Sequence, residues 1–276
     1  MRITLATLAL RADFDAIGAK VRRSVADAMS TPDSMLRFLG LYTAWNRDFG
    51  AGVASLSGKI ARSGSLFSDP EQPIAALADR GVYVASYVFD AARAEFNDRA
   101  NPARDTHRCL AQACVLGTAA ELGFDAARVA QLCARPDWLL SLVGRVSTGY
   151  GYGTPDSVSG IGRAMGYHLG SEILAATEFT EIDRQFRTAH EDLCARLLAR
   201  TVVLNGVEHR CYAWVSIHSD YGEAVEMEHF EHALHAVRLA EAFLAPEQRR
   251  KFLDAVLAGF DEFGRDHARF FEQIGG

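Results

Sequence analysis

Residues 225–244 read VEMEHFEHALHAVRLAEAFL, and the phase of this stretch decides the fold reading. At about 100° per residue, Glu226 falls in line with Phe230, Ala233, Val237, Ala240 and Leu244, the apolar stripe of an amphipathic helix. His229 shares that stripe, so a carboxylate and an imidazole point inward together. Glu228, Glu231, His235 and Arg238 fall on the opposite face, where charge is ordinarily solvated. Glu226 and His229 form an E-x-x-H pair, the i, i+3 unit by which dimetal carboxylate bundles present their ligands. On a solvated face the same spacing arises by chance, so the pair carries weight only if other helices repeat the anomaly.

The period of that helix extends through the chain. Apolar residues recur at three- and four-residue spacing nearly everywhere, and runs of alternating β-branched residues are almost absent. The spacing predicts an all-α fold, a single-domain helical bundle over residues 1–276, with helices near 12–29, 34–63, 71–98, 105–122, 125–134, 137–147, 157–187, 190–200, 211–244 and 246–272. Thr31-Pro32-Asp33, Asp69-Pro70-Glu71, Asp105 before Thr106, Thr154-Pro155-Asp156 and Pro246 are start signals. The strand-like patch Thr201 to Leu204, followed by Asn205-Gly206, either opens a short hairpin or merely turns the chain.

Composition bounds the function classes. In 276 residues, 29 Lys and Arg against 35 Asp and Glu leave a formal net charge of −6, a poor start for gripping a phosphate backbone, so nucleic acid is not an expected partner. No apolar run approaches the ~20 residues that cross a bilayer, and Met1 to Leu10 lacks a secretory pattern; the expectation is a cytoplasmic protein with no membrane partner. The five cysteines, Cys109, Cys114, Cys133, Cys194 and Cys211, show no C-x-x-C spacing and read as small apolar core residues. Expected partners are a small-molecule substrate and, as an open option, a second copy of the chain.

The inward-facing test finds further polar residues where Leu would be expected. Glu172 lies among Ile161, Met165, Leu169, Ala176 and Phe179; Glu95 shares a face with Leu77, Val84, Val88, Ala91 and Ala92; His107 lines up with Leu110, Ala111, Cys114 and Thr118. On a continuous helix His218 falls within about 80° of Glu226 and about 20° of His229. An ionised carboxylate in an apolar core costs several kcal/mol unless paired or bound to a metal. The bland alternative exposes Glu95 and pairs Glu172 with Arg145 or Arg163. Repetition on four helices favours the other reading: Glu95, His107, Glu172, His218, Glu226 and His229 supply the oxygen and nitrogen donors of a non-haem dimetal site for iron or manganese.

The segment EFNDRANPARDTH, Glu95 to His107, resembles the Glu-loop-His element of the haem-oxygenase-like di-iron oxidases and oxygenases. The resemblance continues in GYHLGSEILA around Glu172 and in EMEHFEHAL, and covers roughly residues 74–245. It implies two Fe(II) ions per chain, O2 as co-substrate, and oxidation of a small amino-acid- or fatty-acid-like molecule in specialised metabolism: C–C cleavage, decarboxylation or N-oxygenation. The family's last helix reads H-x-x-x-(D/E)-x-x-H, which maps Glu226 and His229 but sets Gly222 at the first His; His218, one turn earlier, or Glu223 is the replacement to weigh. The family also holds metal-free enzymes of the thiaminase and quinone-synthase type, and a non-enzymatic binding protein is the remaining alternative. Haem is disfavoured, because no His precedes His107.

Other motifs read as structural. Gly160-Ile161-Gly162 with Gly166 lies inside a helical period without a preceding strand, so it is not a dinucleotide loop. Gly149 to Gly153 reads as a flexible connector or as a segment whose Gly and Tyr residues let it close over a cavity, His168 as a core residue or a partner of a ligand, and Trp214 and Tyr221 as core or cavity wall. Arg145 and Arg163 are candidate carboxylate anchors.

Overall fold

The computed structural model describes residues 3–67, 73, 79–96, 105–219 and 225–275, with the backbone alone for residues 225 and 226. The helices are α1 (Leu5–Ala9), α2 (Phe14–Ala28), α3 (Pro32–Trp45), α4 (Phe49–Arg62), α5 (Arg80–Phe96), α6 (His107–Glu121), α7 (Ala126–Leu132), α8 (Asp137–Gly149), α9 (Val158–Ala189), α10 (Glu191–Ala199), α11 (Ala213–His218), α12 (Val225–Phe243) and α13 (Pro246–Ile274). Between α10 and α11, strands β1 (Thr201–Leu204) and β2 (Val207–Arg210) pair antiparallel, Thr201 opposite Arg210. The fold is all-α and forms one helical domain. Among the described residues no helix is long and apolar enough to cross a membrane.

Local chemistry sets the ends. Thr31 and Ser34 form a capping box around Pro32 at the start of α3, the Ser157 hydroxyl accepts from the Gly160 amide at the start of α9, and Asp125 caps α7. Asn205 and Gly206 take positive φ, +52° and +79°, the geometry a tight hairpin turn demands.

The long α9 runs through the middle and packs on α13, α12, α2, α11 and α4. Its tightest neighbour is α13. A Cβ on Gly166 would sit 1.8 Å from the Val256 carbonyl oxygen, and one on Gly259 would sit 1.8 Å from the Arg163 carbonyl oxygen. The glycine spacing noted in the sequence thus lets two helix backbones touch. The crossing also settles Arg163 and Arg145: Arg163 binds Glu262 through two bonds of 2.6 and 2.7 Å, and Arg145 binds Asp266 at 2.7 Å. Both arginines are committed to α13, which corrects their reading as substrate anchors.

Two further expectations are corrected. The predicted helix 34–63 is interrupted by a 3-10 turn at Asn46–Asp48, where the Asn46 side chain donates to the Tyr42 carbonyl at 3.0 Å. The predicted helix 211–244 is not continuous. Its first part stops at His218, and Ser219 is extended with ψ 154°. Ser219 is fully buried, and its hydroxyl donates to Asp183 of α9 at 2.5 Å, a tertiary bond that competes with continued helix. Tyr221, Gly222, Glu223 and the start signal Asp69 to Glu71 lie outside the described residues.

Candidate metal centre

Glu95 stands in the last turn of α5 and His107 opens α6. The Thr106 hydroxyl caps α6 by accepting from the Cys109 amide at 3.1 Å, which fixes the direction of the first turn. His107 Nδ1 then lies 2.8 Å from Glu95 Oε1. α11 brings in His218, whose Nε2 is 3.3 Å from the same His107 Nδ1. The other nitrogen of His218, Nδ1, is 2.6 Å from the Trp214 carbonyl oxygen. A carbonyl only accepts, so Nδ1 carries the proton and Nε2 offers a lone pair. Burial first, and His107 second, hold the His218 pKa well below its ordinary value; the ring stays neutral, as a metal ligand must be. Phe179 stacks on it with centroids 4.4 Å apart.

Glu172 lies midway along α9 and is buried. His168, one turn earlier, places Nδ1 3.0 Å from Glu172 Oε1. The distance suits a hydrogen bond but the direction does not, since both ring nitrogens of His168 lack a hydrogen-bond partner among the described residues. His229 of α12 sets Nδ1 3.6 Å from Glu172 Oε2. Burial opposes ionisation of Glu172, yet His168 and then His229 outweigh it and hold the carboxyl well below the usual range. Burial likewise lowers the His229 pKa, and Glu172 more than reverses the effect.

Of the six residues read from the sequence, five fall into two sets, Glu95, His107 and His218 in one and Glu172 with His229 in the other, and no three of the five bring ligand atoms within 4.8 Å of one another. Glu95, His107, Glu172 and His218 line one cavity of about 300 Å³. Glu95 remains half-exposed rather than buried, at 28% of its side chain. Glu226 is placed in the first turn of α12, three residues before His229, but its side chain lies outside the description. Glu228 and Glu231 are exposed, and His235 packs its ring against Tyr87 at 4.5 Å, away from the cavity. For the described residues, with His229, Phe230, Ala233, Val237 and Ala240 buried, the phase assigned to this helix holds.

The donor atoms here are carboxylate oxygens and imidazole nitrogens. Glu95 Oε1 and His218 Nε2 both turn lone pairs toward His107 Nδ1, so a single proton there faces two acceptors. The ligand atoms of Glu95, His107 and His218 do not all lie within 4.8 Å of one another.

Sequence reasoning missed part of the wall. Glu178, 2% exposed, lines the cavity and accepts from the Tyr42 hydroxyl at 2.6 Å; His267 Nε2 stands 3.0 Å from its other oxygen. Its helix α9 is buried on most sides, so no single stripe marks Glu178 as inward. Trp214 is both core and cavity wall. Arg47 and Arg108 also line the cavity. Burial, then the charges of Arg47 and Arg135, depress the Arg108 pKa, the mark of positive charge gathered in one place. No protein-family model, curated protein or solved structure matches this chain, and the reading of the site rests on its own geometry.

Proposed function

We propose that the chain is a non-haem dimetal oxidase or oxygenase of the haem-oxygenase-like type. It takes two Fe(II) ions on Glu95, His107, His218, Glu172, Glu226 and His229 and uses O2 on a small, partly apolar molecule. The observation that carries the reading is the convergence of Glu95 Oε1, His107 Nδ1 and His218 Nε2 beside the buried Glu172–His229 pair. Iron bound there supplies the electrons that activate O2.

The protein's own residues do the rest. His218 is held in one tautomer by the Trp214 carbonyl and in one plane by Phe179, so its lone pair is aimed before any ion arrives. Glu172 is kept ionised in a buried place by two imidazoles, which supplies negative charge where water is excluded. Phe49, Val53, Phe263 and Trp214 give the cavity apolar walls, and Thr43, Asn46 and Ser171 add polar atoms that orient a bound molecule. Arg108 gives it a positive charge suited to a carboxylate, such as that of an amino-acid- or fatty-acid-like substrate, while Arg47 beside it is bound to Asp48 at 2.8 Å.

The test is anaerobic reconstitution with ferrous iron, followed by metal analysis and O2 uptake. About two irons per chain and iron-dependent O2 consumption are expected. Absence of bound iron after reconstitution would refute the proposal in favour of a metal-free helical enzyme or a binding protein.

A further inference from the structure

Asp105 and Cys109 flank His107 in the chain, yet neither lines the cavity that His107 lines. They meet His209 of β2 instead. One ligand-type atom from each residue, a carboxylate oxygen, a thiol sulfur and an imidazole nitrogen, lies within 4.8 Å of the other two. His209 is 3% exposed, and its Nδ1 has no hydrogen-bond partner among the described residues. Its Nε2 stands 3.6 Å from Asp105 Oδ2, beyond hydrogen-bonding distance. The remaining Asp105 oxygen is occupied by the Thr106 amide at 2.6 Å, which aims the carboxylate.

A buried imidazole nitrogen without a hydrogen bond, as His209 Nδ1 is among the described residues, is costly. Bonds of about 2.0–2.3 Å at a tetrahedral centre hold neighbouring donor atoms roughly 3.3–3.8 Å apart. The His209–Asp105 separation lies in that span, and small side-chain rotations close the remainder. The donor chemistry also differs from that of the cavity: a sulfur joined to nitrogen and oxygen prefers Zn2+, whereas the carboxylate–imidazole set prefers iron or manganese.

We propose that Asp105, Cys109 and His209 form a second, separate metal site that binds one divalent ion of the zinc class. Water takes the fourth position. Binding exchanges the Cys109 S–H bond for a sulfur–metal bond and passes that proton to solvent. The ion ties the β1–β2 hairpin to the start of α6, the turn that presents His107.

Cobalt(II) reports a sulfur ligand directly, through a thiolate-to-cobalt absorption band in the near ultraviolet. Metal-stripped full-length protein titrated with Co2+ should develop that band, saturating at about one equivalent for this site. The band should vanish in Cys109→Ser and persist in His229→Ala. Asp105→Asn keeps the shape of a part-exposed side chain, and should weaken the Co2+ affinity read from the band by more than about tenfold. No band in the wild-type protein, an equally intense band in Cys109→Ser, or unchanged affinity in Asp105→Asn would each overturn the site.

Discussion

At the scale of single residues the centre depends on side chains that are aimed before they bind anything. Gly50 faces Glu95 so closely that a Cβ there would come within 2.9 Å of Glu95 Cβ and 3.1 Å of its Oε2. Gly50→Ala therefore displaces a proposed ligand without deleting it. Ferrous titration should show weaker binding, with a stability loss limited to about 1–2 kcal/mol because Glu95 is half-exposed and can move; unchanged iron affinity would remove Glu95 from the ligand set. His218→Ala should lower iron affinity by more than about tenfold, while Glu223→Ala leaves it near wild type, because it is His218 that touches His107. The reverse ranking would hand the sixth position to Glu223. The inward phase of His107 was legible beforehand, since the direction of a helical side chain follows from counting residues, whereas Glu95 stays half-exposed and the phase of His218 was counted on a helix that breaks directly after it. The meeting of these residues was not legible: His218 and His107 lie 111 positions apart, and periodicity carries nothing across that distance.

At the scale of elements, the α9–α13 contact brings backbones closest at glycines among the described residues. Gly166→Ala forces a methyl group against the Val256 carbonyl oxygen, and should cost more than about 3 kcal/mol in denaturant unfolding. Gly144 supplies the contrast. It is an exposed position inside α8, with nothing within 4 Å of a built Cβ, so Gly144→Ala should stabilise by about 0.5–1 kcal/mol. Similar effects for the two variants would mean that the helices are farther apart than described. The break after His218 belongs to this scale too. Ser219, Asp220 and Gly222 are turn-type residues, a signal that favours interruption, but the apolar period on both sides conceals it. A straight helix would hold His218 about 12 Å along the axis from Glu226; ending the helix at His218 frees the imidazole to join His107.

At the scale of the whole molecule, buried and bridging charges hold distant segments together. Lys59 of α4 is 3% exposed and donates to the Gly151 and Thr154 carbonyls at 3.1 and 2.5 Å, with Asp156 Oδ1 at 2.9 Å; Arg62 grips the other oxygen of Asp156 at 2.8 Å. Hydrogen bonds from Arg62 and then Lys59 lower the Asp156 pKa to about 2. A carboxyl depressed in the folded state stabilises above its unfolded pKa of about 3.9, and the stabilisation is lost as pH falls through about 2. Asp156→Asn should therefore lower Tm near neutral pH, with the difference shrinking to nothing toward pH 2. A Tm difference that stays constant across that range would assign the loss to packing. Helical class, a turn at Asn205-Gly206 and the inward phase of Glu172 and His229 were determined by the sequence alone, because caps, turn residues and a period of 3.6 are local properties of the chain, whereas the closing of that turn into a hairpin came from the pairing of β1 with β2. Only the tertiary structure decided that α11 ends at Ser219, that Arg145 and Arg163 spend their charge on α13, that Glu178 joins the cavity wall, and that His209 reaches Asp105 and Cys109. Each of those depends on which helix faces which, and that is set by how backbones close on one another in space.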